Sequence, residues 1–357
     1  MLIKASEFRV TPHALMFDPQ IYIFDFVMKN RLTKFLLVDE EHLDLAPFID
    51  IRFEPMAKGH FLLPTFDLFG LEKQHQIERP RSFFIFHHAF VCSTLLARCL
   101  NQIDAFFSLK EPWILRRLAD TKRTPGSRIP GSQWKQMFTT YMMLLAKNYK
   151  TGKSPVIKVT NVANNLLVDV LRFLPGHPSL YLYSDLKSFL ISNLKKPEDT
   201  KRKMPELANW FINDVDFARK FPHYCEINQL SFLQICALIW VANLYNFRSA
   251  VEKYPGQHVR TLDMHVFLKH PEDTLRALSL FFGHQADSSE VARMAGPGVL
   301  ESNAKQQQQK YNRGVRELEA QQVVGSFGHE IDRALAWINP LVKELGLLEY
   351  VESLRLQ

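Results

Sequence analysis

Ser93 and Thr94 stand where this chain could hold an anion. They follow Ala89-Phe90-Val91-Cys92 and precede Leu95-Leu96-Ala97-Arg98-Cys99-Leu100, whose spacing is helical. Upstream lies Ser82-Phe83-Phe84-Ile85-Phe86, a short continuous apolar run of the kind found in strands buried on both faces. A strand that feeds a tight loop and then a helix leaves backbone N–H groups and the positive end of the helix dipole facing outward, which suits an anion. The two hydroxyls add donors at that point and also suit a helix start. The loop lacks the GxxxxGK[ST] pattern, so it is not a Walker A motif, and ATP hydrolysis is disfavoured. An ordinary capped helix behind a buried strand would carry the same local pattern.

Acid–base and cationic chemistry has its own candidates. Glu111, in Ser108-Leu109-Lys110-Glu111-Pro112, follows an apolar run and falls at the C-terminal edge of a strand, where open α/β sheets bind ligands. It is the candidate general base; a Glu before a helix-opening Pro would read the same way. Lys158 ends the second buried strand, in Ile157-Lys158-Val159-Thr160-Asn161. A lysine embedded there requires a counter-charge or an opening to solvent, which makes it the leading cation, with Lys110 as the alternative. His87 and His88 follow the first buried strand; His88 is a candidate base or hydrogen-bond donor, though strand-end histidines also serve as packing residues. No cluster with metal-ligand spacing accompanies them, so no metal is expected.

Elements must position these groups. Strands are predicted at residues 82–86, 155–159, 179–183 and 258–262, with a further strand edge just before Glu111. Helical patterns follow at 161–173, 186–195 and 271–282, the last stopped by Gly283. Strands alternating with helices imply a mostly parallel sheet covered on both faces. Leu230–Val251 is a strongly apolar helix, either core or interface. Residues 1–80 read as a small α+β region, joined by a linker at Glu78–Arg81. Stretches 121–132 and 197–205, rich in Pro and charge, read as exposed loops able to cover a site.

Composition sets outer limits. The 357 residues are 46% hydrophobic and 23% charged, enough for a large core, and Phe stands out with 28 copies against 10 Tyr. The net charge of +7 favours anionic partners. The basic residues do not interleave aromatics as nucleic-acid binders do, so no nucleic-acid partner is expected. Cys92, Cys99, Cys225 and Cys236 form no CxxC pair, and reduced thiols together with no signal-peptide pattern and no apolar run of membrane-spanning length predict a cytoplasmic protein with no membrane span.

Three segments resemble the sulfotransferase family. Ala89-Phe90-Val91-Cys92-Ser93-Thr94 with Leu95–Leu100 resembles that family's PRSGTT loop and LLARLL helix, with Phe90 in place of the basic residue and Cys92 in place of the glycine. Ser184-Asp185-Leu186-Lys187 leading to Ser192 resembles its Arg-Asp-Pro-Arg strand end and helix serine, with Ser184 in place of the arginine. Arg260–Met264, His270–Leu275 and Phe281-Phe282-Gly283 resemble its later strand and Pro-Glu helix. The resemblance covers roughly residues 82–283. It implies an α/β, three-layer P-loop fold with a mostly parallel central sheet, occupying 81–357 after the N-terminal region. It implies the donor 3′-phosphoadenosine-5′-phosphosulfate, used without a metal, and a small-molecule or glycan acceptor of the sulfuryl group. In this reading Ala89, Phe90, Val91, Cys92, Ser93 and Thr94 cradle the phosphosulfate, and Ser184 and Ser192 meet the 3′-phosphate. Lys158 contacts the transferred group, Glu111 acts as base, and Arg313, beside Lys305 and Tyr311-Asn312, belongs to a basic segment closing over the nucleotide. The alternatives are an inactive binding protein on this fold and a P-loop phosphotransferase with another donor.

Overall fold

The computed structural model describes residues 10–71, 81–124, 129–147, 152–301 and 313–357, without the side chain of residue 313. The proposed linker lies largely outside the described residues, as do Lys305, Tyr311 and Asn312.

Two sheets form. Strands β1 (Ile21–Val27), β2 (Leu32–Leu37) and β3 (Gly59–Pro64) make an antiparallel meander in the order β1-β2-β3. Strands β4 (Phe83–His87), β5 (Phe106–Lys110), β6 (Ser154–Lys158), β7 (Ser179–Tyr183) and β8 (Val259–Asp263) make a parallel sheet in the order β5-β6-β4-β7-β8. The molecule is thus α/β with a parallel central sheet, as the alternating pattern predicted. All residues of β4, β5 and β7 are buried, which is why Phe83–Phe86 and Leu180–Tyr183 read as unbroken apolar runs. The solvent-side edge of β8 is partly covered by the C-terminal segment, where Leu356 N–H donates to the Thr261 carbonyl at 2.9 Å.

The order places β4 between β6 and β7. Helix α1 (Ser93–Leu100), which follows β4, packs with Phe83 and Ile85 on one face of the sheet. The segment following β6 packs with Phe84 and Phe86 on the other. The connections therefore part at the C-terminal end of β4, the crevice where open α/β sheets admit ligands. The region expected as one helix at 161–173 is instead a tight 3-10 turn, Asn161–Leu166, running into an α-helix, Leu167–Phe173, with Ala163 off helical geometry.

Helix α2 (Trp113–Arg123), helix α3 (Leu186–Leu194), helix α4 (Phe232–Lys253) and helix α5 (Arg313–Glu344) complete the frame around the crevice. In α4 buried residues run around the whole circumference from Leu233 to Ala250, so this helix is core. Ser231 and Gln234 cap its start reciprocally. The stretch 197–205, expected as loop, forms the helix Glu198–Lys201 and the start of Met204–Asn213. Its prolines sit at the cap and in the first turn, where no helical hydrogen bond is lost.

The N-terminal sheet shares one apolar core with the main sheet, from Ile23, Phe24 and Phe35 through Phe84 and Leu118 to Trp240. Lys147, buried, fastens it by donating to the carbonyls of Leu15 (2.9 Å), Asp18 (3.1 Å) and Ile21.

Candidate functional site

β4 ends at His87, and the chain turns sharply through Ala89, Phe90, Val91 and Cys92 into α1. Phe90 (φ 66°) and Cys92 (φ 59°) both adopt left-handed backbone. Among the described residues only four non-glycine residues do so, and a third, Glu111 (φ 57°), lies at the neighbouring strand end. Such residues cost about 1–3 kcal/mol each and persist where surrounding structure fixes them, often at functional sites. No side chain among the described residues caps α1. Ser93 and Thr94 are 6% and 5% exposed, and neither hydroxyl bonds another group among the described residues. The start of α1 is therefore a set of bare donors in a sheltered place.

Lys158 and Glu111 meet. Glu111 N–H donates to the Lys158 carbonyl at 2.8 Å, continuing the β5–β6 ladder by one residue. The Lys158 ammonium donates to the Glu111 carboxylate, with the lysine side chain 1% exposed and the glutamate 19%. Lys158 lies two residues beyond Val156, which packs among the α1-side residues, so its side chain leans to the α1 face. Strand alternation sets Lys158 on the loop's side of the sheet, and the left-handed turn at Glu111 brings the carboxylate back over it. The helix behind Glu111 starts at Trp113 with Pro112 as its cap.

The N-terminal region walls this pair. The Phe48 ring lies 5.8 Å from Lys158 Nζ, and Arg52 stacks on the same ring at 4.4 Å. Ile49 N–H donates to the Lys110 carbonyl at 2.7 Å, and Trp113 N–H to the Ile49 carbonyl at 2.9 Å. Lys110 Nζ donates to the Asp44 carbonyl at 2.6 Å, so that lysine fastens the wall.

The two histidines differ from expectation. His88 is fully buried, its Nδ1 2.9 Å from the Ala89 carbonyl and its Nε2 2.8 Å from the Ser184 N–H. A carbonyl only accepts and an N–H only donates, which fixes the neutral tautomer with the proton on Nδ1. Burial pushes His88 down to about 4, against the opposing pull of the Ala89 and Ser184 backbone. With both nitrogens engaged, His88 has no site for the proton transfer expected of it and acts as a brace between the loop and β7. His87 donates from Nδ1 to the His88 carbonyl (2.8 Å) and keeps a buried Nε2 that has no hydrogen-bond partner among the described residues. Burial, and next the Lys158 charge, hold it well below the usual histidine range.

Ser184 is also locked: 1% exposed, its hydroxyl donates to the Asp185 carbonyl (3.2 Å) and its own carbonyl accepts from Trp240 Nε1 (3.0 Å). Its place as a 3′-phosphate ligand is therefore corrected, because the side chain is turned into the protein. Ser192 is half-buried on α3. It lies one turn after Phe189, whose ring is 6.0 Å from Phe90, so it shares the loop-facing side of that helix.

No protein-family model matches the chain, and no curated protein matches it. Among solved structures the chain is similar to the sulfotransferase domain from the curacin biosynthetic pathway, at 12% identity, covering 70% of this chain and 98% of that one, with a TM-score of 0.44. It is similar to a sulfotransferase from Alicyclobacillus acidocaldarius, at 14% identity over 74% and 97% with a TM-score of 0.39. It is similar to a sulfotransferase from Mycobacterium tuberculosis H37Rv, at 12% identity over 74% and 80% with a TM-score of 0.36. All three are sulfotransferases. Likenesses this distant say nothing of chemistry, which rests on the residues themselves.

Among those residues are some that sequence reasoning passed over. Arg316, in the first turn of α5, donates from Nη1 to Cys92 Sγ at 3.3 Å. The basic residue singled out in that segment was Arg313, one turn earlier, which begins α5. Asn164 donates to the His87 carbonyl (2.9 Å) and to Asn243 Oδ1 (2.8 Å), fixing the end of β4 from beneath. Its signal in the sequence was a pair of polar residues, Asn164-Asn165, inside an apolar run. No group of His, Cys, Asp and Glu able to hold a metal occurs among the described residues, and no helix among them is long and apolar enough to cross a membrane.

Proposed function

We propose that the chain is a cytoplasmic sulfotransferase-type enzyme, moving a sulfuryl group from 3′-phosphoadenosine-5′-phosphosulfate to a hydroxyl or amine on a small-molecule or glycan acceptor. One observation supports this most: the buried Lys158–Glu111 pair stands at the open end of the sheet beside a helix start that no side chain caps among the described residues. The donor nucleotide, when bound, supplies a sulfur made electrophilic by its bond to phosphate. Ser93, Thr94 and the loop N–H groups are suited to its phosphosulfate oxygens and Ser192 to its 3′-phosphate, and Arg313 belongs to the basic segment that would close over the nucleotide.

Glu111 takes the proton of the acceptor as the acceptor oxygen or nitrogen bonds to sulfur. The sulfur–oxygen bond to phosphate breaks, and its electron pair stays on the phosphate oxygen. Lys158 offsets the charge that develops on the transferred group. The Phe48 ring over Lys158 shields the same place from water.

Calorimetric titration with 3′-phosphoadenosine-5′-phosphate, against ATP plus magnesium, tests the donor. Micromolar binding of the former alone is the expected result, weakened in Ser192→Ala. Turnover of an acceptor that survives in Glu111→Gln and Lys158→Ala would sink the assigned roles. A binding protein without turnover is the second reading, favoured by Phe90 in the loop and by the inward-turned Ser184. Nucleotide binding without detectable transfer over an acceptor panel would establish it.

A further inference from the structure

The loop Ala89–Thr94 carries no cation of its own, yet two are laid against it from elsewhere. Lys196, just past the end of α3, holds its ammonium 4.3 Å from the centroid of Phe90. Arg316, from α5, reaches Cys92 Sγ. The two residues they touch are the two that take left-handed backbone in this loop. Glycine would relieve that strain at either position, but it would offer nothing for a cation to rest on. An aromatic face attracts an ammonium, and a thiol sulfur is a weak acceptor for a guanidinium. The supporting elements are themselves tied together, since Lys195 pairs with Glu319 at 2.8 Å across α3 and α5.

Beside these cations stand the uncapped start of α1 and the buried hydroxyls of Ser93 and Thr94, which bond no other group among the described residues. A sheltered cluster of donors with two cations at its rim suits a phosphate- or sulfate-type anion. We propose that Lys196 and Arg316, seated on Phe90 and Cys92, form the cationic half of an anion site whose other half is the start of α1 with Ser93 and Thr94. The positive charge absent from the loop is thus delivered by two helices. Naming the anion as the phosphosulfate end of the nucleotide rests on the function proposed above; the site itself does not.

The test titrates inorganic pyrophosphate and 3′-phosphoadenosine-5′-phosphate separately into the full chain and into Lys196→Met and Arg316→Met, with the exposed, distant Lys253→Met as control. Each of the first two substitutions is expected to weaken both ligands by tenfold or more and to flatten the dependence of binding on salt, with the control unchanged. Arg316→Lys, which keeps the charge, is expected to retain most of the binding, and this variant answers for a folding defect in Arg316→Met. Phe90→Leu keeps both charges but removes a seat, and a weakening of severalfold is expected. If wild type binds the nucleotide and both Met variants bind it within twofold, the cation pair is wrong and the functional reading survives. If pyrophosphate binding depends on both cations while the nucleotide does not bind at all, the functional reading is wrong and the anion site survives. Binding of neither probe by wild type overturns both.

Discussion

Glu111 and Lys158 hold each other in a place where neither would be tolerated alone. Replacing one member of a buried ion pair leaves the other uncompensated, at a cost of about 3–5 kcal/mol. Glu111→Gln is therefore expected to lower the urea midpoint markedly, and the double variant Glu111→Gln/Lys158→Met to recover most of that loss. Activity separates the roles, since a general base contributes roughly 10²–10⁴-fold in rate. The double variant is expected to be stable and inactive; a stable double variant with full turnover would reduce the pair to a structural one. His88 makes a second prediction at this scale. Its folded-state value of about 4 lies below the ordinary histidine value of 6.5, so the unfolded chain binds the proton first as pH falls. The stability it contributes is complete above 6.5 and is lost progressively between 6.5 and 4, by about 3 kcal/mol in all. Unfolding midpoints at pH 7 and pH 4.5 measure this, and His88→Gln is expected to shrink the difference; an unchanged difference would mean that other groups carry the acid sensitivity.

Elements are held by a few deeply placed polar contacts. Lys147 lies two residues past helix Gly131–Leu145 and gathers three carbonyls around the entry to β1. Burial pushes its ammonium down to about 7, with the Asp18 charge opposing. Lys147→Met would strand those carbonyls, at about 1–3 kcal/mol for each group that water cannot reach. Urea unfolding monitored by tryptophan fluorescence checks this, and a loss below about 1 kcal/mol would mean that water takes the place of the ammonium. Trp240 fills the core from α4 and ties it to β7 through the Ser184 carbonyl. Trp240→Ala is expected to cost about 3–5 kcal/mol. Trp240→Phe is expected to cost less, because the ring volume is largely kept while one buried carbonyl loses its donor.

At the scale of the whole molecule, the N-terminal region is part of one core and part of the site wall. A chain beginning at Arg81 would expose the surfaces of α2 and of helix Gly131–Leu145 that now meet β1. It would also uncover Lys158 from Phe48. Such a chain is expected to lose cooperative unfolding by circular dichroism and to aggregate during gel filtration. A monodisperse, cooperatively folding product would show that 81–357 is self-sufficient, as the expected boundary at residue 80 implies.

The succession of strands and helices was legible because each depends on local pattern. Unbroken apolar runs such as Phe83–Phe86 and Leu180–Tyr183 must be buried on both faces, hydroxyls open a helix, and Gly283 with φ 84° ends one. That much by itself determined a mostly parallel α/β sheet, a helix start at Ser93, and the placing of Glu111 and Lys158 at strand ends. What local pattern cannot encode is which distant side chains meet. Sheet order brought β5 beside β6, and only then did Lys158 find Glu111. Helix packing carried Arg316 to Cys92 across more than two hundred residues, and Lys196 to Phe90. His88 Nε2 met the Ser184 N–H only because β4 lies beside β7. Pairings of this kind are decided by tertiary packing, because their energy depends on burial and distance, which the order of residues leaves open.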